Sequence, residues 1–413
     1  MRKERPFRSS LVLISIAFLL WGVFRSLDDL LIALFWSTGS FGYAASMMVH
    51  FSFFSAYLLV SVPAGALVRR WGYRTSIAGS TLMMTIGTSL CIPAARLHSF
   101  PLCLAGVFLA AAGISALQTS ANPCIGLLGP ERSATHRLLL VQTFNALGCA
   151  LGPLATPLLF RRLARSGAAL IAFPGISLGR IYVGLTLGLV LLTLGIPLAF
   201  TTRLKGLRSQ GGGSIRSLLS SRGILFGCAG IFLYVGAEAT LVGHAIPYLS
   251  RGGGQPREAA RLLSVYWGAI IVGRLSAVTL LRRMKARTLL QTAAITAFIL
   301  LQGALFLPSG LSAACLLATG LCNALIFPTI FSLSVSGLAE EDLPAASGLL
   351  TSAICGGALL PLLSGWMADH FGISAAFYPP SAAYLFLGIF AAICLPRDYH
   401  LPNPLSKAAT TGA

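Results

Sequence analysis

The sequence predicts an all-α membrane protein of about twelve spans arranged in two related halves. Three observations lead there. Hydrophobic residues make up 56% of the 413 positions and charged residues only 10%, against about 25% charged residues in a soluble domain. The apolar runs are continuous and do not alternate, which excludes a transmembrane β-barrel. The chain also repeats itself: LVRRWGYRT at 67–75 returns as LLRRMKART at 280–288, with arginines matching at 69/282, 70/283 and 74/287. A Gly/Pro-interrupted helix, GCALGPLATP at 148–157, returns as GGALLPLLSG at 356–365 and aligns Pro153 with Pro361. Two such six-helix halves hold cargo near the midplane between them.

Taken in order, the apolar runs predict spans at 10–36, 44–68, 75–95, 100–129, 136–160, 179–201, 222–249, 259–281, 288–307, 310–338, 344–368 and 373–395. The basic start MRKERPFR resembles a signal peptide, but the following run continues to about Trp36 without a small-residue cleavage site. It is expected to stay as the first helix. The one long connection, 202–221, carries Arg203, Lys205, Arg208 and Arg216 around three glycines and is expected to be a flexible basic linker. It divides an N-terminal bundle, 1–201, from a C-terminal bundle with a short tail, 222–413. Lys and Arg gather at the N-terminus, in loop 2–3, at the linker and in loop 8–9, which places both termini in the cytoplasm.

Several function classes fall away. A net charge of +19 lies in short loops, with no aromatic-basic patch or soluble domain to hold nucleic acid. The nine cysteines are scattered singly, without a CxxC pair or Cys/His cluster, so neither a metal site nor a disulfide framework is expected. No GxxxxGK[ST] run supports ATP-driven work, and no nucleophile–base–metal set supports an enzyme.

Polar residues inside the spans carry the functional signal, because an uncharged amide at membrane depth is costly unless it faces a partner, a wet cavity or cargo. Gln118 and Asn122 share one face of span 4, and Pro123 weakens the helix ladder there; Gln142 and Asn145 share a face of span 5. Of eleven acidic residues, only Asp28, Asp29 and Glu238 lie at membrane depth. Arg25 and Asp29 are four apart: either an internal ion pair or a proton-binding carboxylate with an adjacent cation. Arg274 either snorkels to the loop 8–9 cluster or points into the cavity, as a donor to cargo or a partner for Glu238. Tyr234 shares a helix face with Glu238, and Asn323 and Phe327 of span 10 complete the candidate cargo set. His50 and His244 are either hydrogen-bonded structural residues or proton relays.

Gln118-Thr119-Ser120-Ala121-Asn122-Pro123, Leu128-Gly129-Pro130-Glu131, Arg137-Leu138 and Gln142-Thr143-Phe144-Asn145 resemble the helix 4–helix 5 signature of the fucose:proton symporter family, within the major facilitator superfamily. The likeness runs from about Phe18 to Cys394. Leu20-Trp21-Gly22 through Leu27-Asp28-Asp29 is similar to the family's helix 1 pattern, so the resemblance puts Asp29 on its proton-coupling aspartate. Gln118 stands where the fucose branch carries a second coupling carboxylate and cannot titrate. Tyr234-Val235-Gly236-Ala237-Glu238 resembles the glucose/galactose branch, and Gly273-Arg274 and Phe327-Pro328-Thr329-Ile330-Phe331-Ser332-Leu333 resemble the family's helices 8 and 10. Gly65 to Arg74 resembles the superfamily's loop 2–3 motif, with Val68 in place of its aspartate.

The resemblance implies a major facilitator fold and a monomeric carrier in a bacterial inner membrane. Its cargo would be a small polyhydroxylated solute, a monosaccharide, moved with protons and without a cofactor. Asp29 and Glu238 are the candidate coupling sites. Arg69, Arg70 and Arg74 near span 11, with Arg282, Arg283 and Arg287 near span 5, are expected to latch the outward-open state. A facilitative carrier and a transporter-derived sensor stay open as alternatives.

Overall fold

The computed structural model describes residues 5–37, 42–97, 99–128, 137–151, 175–199, 215–251, 255–336, 338–339 and 341–394. The N-terminal half comprises α1 (Arg5–Ser37), α2 (Tyr43–Ser46), α3 (Met48–Leu97), α4 (Phe100–Leu127), α5 (Arg137–Leu151) and α6 (Gly175–Ala199). After the short α7 (Ile215–Leu219), the C-terminal half comprises α8 (Arg222–Leu249), α9 (Pro256–Arg283), α10 (Ala286–Phe306), α11 (Ser309–Val335), α12 (Leu343–Ser352), α13 (Gly356–Phe371) and α14 (Tyr378–Cys394). The twelve spans follow from these. α3 crosses twice, turning at Gly72, whose φ of 81° and ψ of 168° suit a residue without a Cβ. α12 and α13 form one span broken by a 3₁₀ turn at Ala353–Cys355.

Part of the expected linker is ordered. α7 packs on α8 and α12 with Leu218 buried, so 215–219 is a docked helix and not flexible chain. Residues 202–214, the Glu131–Arg132 turn and the side chains of Arg282 and Arg283 lie outside the described residues.

Within the N-terminal half α3 packs on α4 and α6, and α1 on α6; within the other, α11 packs on α8, α9 and α10, and α14 on α8 and α10. The twofold relation shows in the closest contacts. A methyl group at Gly22 or Gly148 would collide with the backbone of the facing helix at Asn145 or Leu19, which presses α1 against α5. Gly236 and Gly356 do the same between α8 and α13, against the Gly356 and Phe232 carbonyls. Without a hydrophobic force between helices in lipid, such small-residue contacts provide the packing.

The repeated arginines are equally symmetric. Arg74 donates to the Pro197 carbonyl at 2.6 Å, at the end of α6. Arg287 donates to Ala391 O at 2.9 Å and to Ala392 O, at the end of α14. Each therefore satisfies the last carbonyls of the final helix in its own half. Neither contact crosses between halves, so in this structure the two arginines brace their own halves. Arg70 is exposed and Arg69 half-buried, and Val68 beside them is buried.

The halves meet on both sides of the midplane. Toward the face bearing Arg69 and Arg70, a methyl group at Gly65 would lie 2.7 Å from the Pro344 carbonyl of α12. At the opposite face Asp369 of α13 accepts from the first backbone amides of α2, Tyr43 N at 2.8 Å and Ala44 N at 3.0 Å. α1 also packs on α8 across the interface.

Two outcomes follow. Gly356→Leu forces α8 from α13 and lowers the thermal midpoint in detergent by roughly 5–10 °C. Gly79→Ala, where an added methyl group meets open space, leaves it within about 1 °C; equal midpoints for the two variants would refute the close-packing role. Arg287→Ala lowers the midpoint by roughly 3–6 °C through its orphaned carbonyls, without changing thiol labelling of an engineered cavity cysteine. Altered labelling would restore a latch.

Candidate functional site

A cavity of about 90 Å³ of water-accessible space lies between the halves. The N-terminal half lines it with Trp21 and Arg25 of α1, Phe53, Phe54 and Tyr57 of α3, Gln118 of α4, and Gln142, Asn145 and Cys149 of α5. The C-terminal half adds Tyr234, Val235, Glu238, Ala239 and Val242 of α8, Trp267 and Arg274 of α9, Phe327 of α11 and Ile354 at the break in span 11. Aromatic walls with a few placed polar groups suit a small ligand that has both apolar faces and hydroxyls.

Helical spacing explains much of this lining. Trp21 and Arg25 are four apart, as are Tyr234 and Glu238, so each pair shares a face; Trp267 and Arg274 are two turns apart. Gln118 is held by Tyr57, with Nε2 donating to the phenol oxygen at 2.7 Å. Asn145 Nδ2 donates to Phe18 O at 3.4 Å. Arg274 reaches across the interface to donate to the backbone carbonyl of Gln142. Of the alternatives, Arg274 is turned into the cavity, with Glu238 close by and no salt bridge between the two among the described residues. Glu238 instead accepts from the Tyr266 hydroxyl at a long 3.5 Å and lies beside Tyr234 and Arg274. The indole N–H groups of Trp21 and Trp267 and Arg274 Nε are buried without a protein acceptor. In a polar cavity such donors are matched to hydroxyl oxygens.

Of the residues singled out from sequence, Gln118, Gln142, Asn145, Tyr234, Glu238, Arg274 and Phe327 line this cavity. Three do not. Asn122, one turn beyond Gln118, is buried with Oδ1 unpartnered. Asn323 is occupied by the C-terminal half itself: its Nδ2 donates to Tyr266 OH, its Oδ1 accepts from Tyr384 OH, both at 2.8 Å, and its carbonyl accepts from Tyr234 OH at 2.9 Å. With both ends of its amide engaged, it positions the tyrosines around Glu238 and is not itself a cavity-lining group. Asp29 lies behind Arg25, with Oδ1 accepting from Arg25 and from His50 Nε2, the latter at 3.0 Å.

Sequence reasoning missed Trp21, Phe53, Phe54, Tyr57, Cys149 and Ile354 as lining residues, and weighed Arg25 only as a neighbour of Asp29. Trp21 was readable from its spacing to Arg25, and Trp267 from its spacing to Arg274. The run of aromatics on α3 carried no comparable signal, since aromatics in an apolar helix face core or lipid equally well.

The comparisons with known proteins agree with this geometry. The Major Facilitator Superfamily model matches residues 7–360. A glucose/galactose transporter of Brucella abortus biovar 1 (strain 9-941) is 32% identical over 398 residues, covering 94% of this chain and 95% of that protein. The L-fucose-proton symporter of Escherichia coli (strain K12) is 26% identical over 414 residues, covering 94% of each. The crystal structure of the E. coli fucose:proton symporter superposes with a TM-score of 0.72 at 24% identity, over 94% of this chain and 99% of that one, a likeness of fold. A pair of six-helix halves, a polar cavity between them and near full-length similarity lead to one assignment: the chain belongs to the major facilitator superfamily, in its fucose:proton symporter family, and is a transporter and not an enzyme.

Proposed function

We propose that this protein carries a monosaccharide across a bacterial inner membrane together with protons, by alternating exposure of the cavity between its 1–201 and 222–413 halves. Both termini face the cytoplasm, in keeping with the Lys/Arg distribution. The observation that carries the reading is the cavity itself. Aromatic rings from both halves surround amides, two guanidinium groups and one carboxylate, a combination that meets the apolar faces and the hydroxyls of a sugar together. The relatives' names, glucose/galactose transporter and L-fucose-proton symporter, support hexoses or deoxyhexoses as the cargo class.

Coupling rests on Asp29 and Glu238. A carboxylate at membrane depth is expensive to keep charged without a partner, and these two are solved differently. Asp29 is held between Arg25 and His50. Glu238 lines the cavity among Tyr234, Tyr266 and Arg274, where a proton or a sugar hydroxyl can reach it. Asp29→Asn and Glu238→Gln keep size and lose the titrating group. Each variant retains sugar counterflow across proteoliposomes within about threefold of wild type and loses about tenfold or more of pH-driven accumulation. Full accumulation by both would remove proton coupling and favour a facilitative carrier.

A further inference from the structure

We propose that Arg25 is a sugar-binding residue switched by Asp29: while Asp29 is ionised the guanidinium is held by it, and protonation of Asp29 releases that guanidinium to donate to a sugar hydroxyl. The inference rests on the proton-coupled reading above and names the device behind it.

The geometry separates the two halves of the task. Arg25 lines the cavity, whereas Asp29, one turn along the same face of α1, does not. The ion pair joins them through Arg25 Nη1 and Asp29 Oδ1. His50 Nε2–H donates to the same oxygen at 3.0 Å, which holds the carboxyl group in place. The second oxygen, Asp29 Oδ2, is buried without a partner and is the atom left to take a proton. Once neutral, Asp29 no longer attracts the guanidinium electrostatically. The Arg25 guanidinium already lies 5.3 Å from the Phe54 ring centroid and 5.4 Å from that of Phe53, within cation–π range, so its place at the wall does not depend on the carboxylate alone. A sugar hydroxyl then takes the place of the lost acceptor. By linkage, a sugar that draws Arg25 from Asp29 promotes proton uptake by the same factor that a proton promotes sugar binding.

Other ionisable groups interact with the pair: Asp28 on α1, His50 and Tyr57 on α3, Cys149 on α5, Glu238 on α8 and Tyr266 on α9. Asp28 has both carboxyl oxygens enclosed without a partner and lies off the cavity lining. Glu238 is the other carboxyl group able to lend pH dependence to sugar binding directly, so the test compares variants at fixed pH as well as across pH.

The test is equilibrium sugar binding to the purified full-length protein, using whichever of D-glucose, D-galactose and L-fucose binds wild type most tightly. Asp29→Asn mimics the protonated state and is expected to hold wild-type acidic affinity at alkaline pH. The double variant Arg25→Gln/Asp29→Asn removes both members of the ion pair; it is expected to bind about tenfold more weakly than Asp29→Asn at every pH. Arg25→Lys/Asp29→Asn, which restores a cation, regains part of that loss. Equal affinity of Asp29→Asn and its Arg25→Gln partner, at matched thermal midpoints, overturns the proposal. So does pH-independent binding by wild type. Acid-driven uptake in vesicles then separates the cases: retained uptake means only the Arg25 route fails, and absent uptake removes the coupled reading as well.

Discussion

A guanidinium and a carboxylate buried side by side in a bilayer constrain everything built around them. Each alone would cost several kcal/mol at membrane depth, and removing one partner from a buried pair costs about 3–5 kcal/mol. Arg25 and Asp29 meet this constraint on a single helix, and the surroundings complete it: His50 from α3 on the carboxylate, Phe53 and Phe54 against the guanidinium. α1 is in turn fixed against α5 through Gly22 and Gly148, and it touches α8 of the other half. The element that carries the ion pair is thus also one that spans the interface. A change in the charge of Asp29 alters forces at a surface where the two halves separate.

The same economy of contact appears across the molecule. Close helix pairs inside each half, α1 with α5 and α8 with α13, rest on glycines that allow backbone approach, and the arginines Arg74 and Arg287 tie each half's last helix to its own body. Each half is therefore internally braced. Between halves α3 packs on α12 and α13, close at Gly65 against the Pro344 carbonyl, and polar contacts add to this, such as Asp369 on the amides of Tyr43 and Ala44, or Arg274 on the Gln142 carbonyl. Internally braced halves that meet around a central cavity are the arrangement on which a rocking motion about a central site is built.

Much of this was legible in the sequence. Hydropathy located the spans, and the repeat of the arginine-rich segment announced two halves. Amide and charge spacing picked seven of the cavity-lining residues, from Gln118 to Phe327. What stayed hidden depends on contacts between distant segments. Asn323 looked like a cargo ligand because an amide inside an apolar helix must face something polar; that something is two tyrosines, 57 and 61 residues away in sequence. The arginine repeat was visible, but its direction was not: charge placement says which face a residue occupies and nothing about which helix end it reaches. The 3₁₀ break at Ala353–Cys355 had only Gly356–Gly357 to signal it.

Proton uptake on sugar binding tests the central claim most directly. In weakly buffered detergent solution, addition of saturating sugar to wild-type protein at mildly alkaline pH is predicted to take up about one proton per sugar bound, because binding and protonation share the Arg25–Asp29 pair. The Asp29→Asn variant should bind the sugar with uptake reduced to a small residue from Glu238. Sugar binding by wild type with no proton taken up, or undiminished uptake by Asp29→Asn, would contradict it.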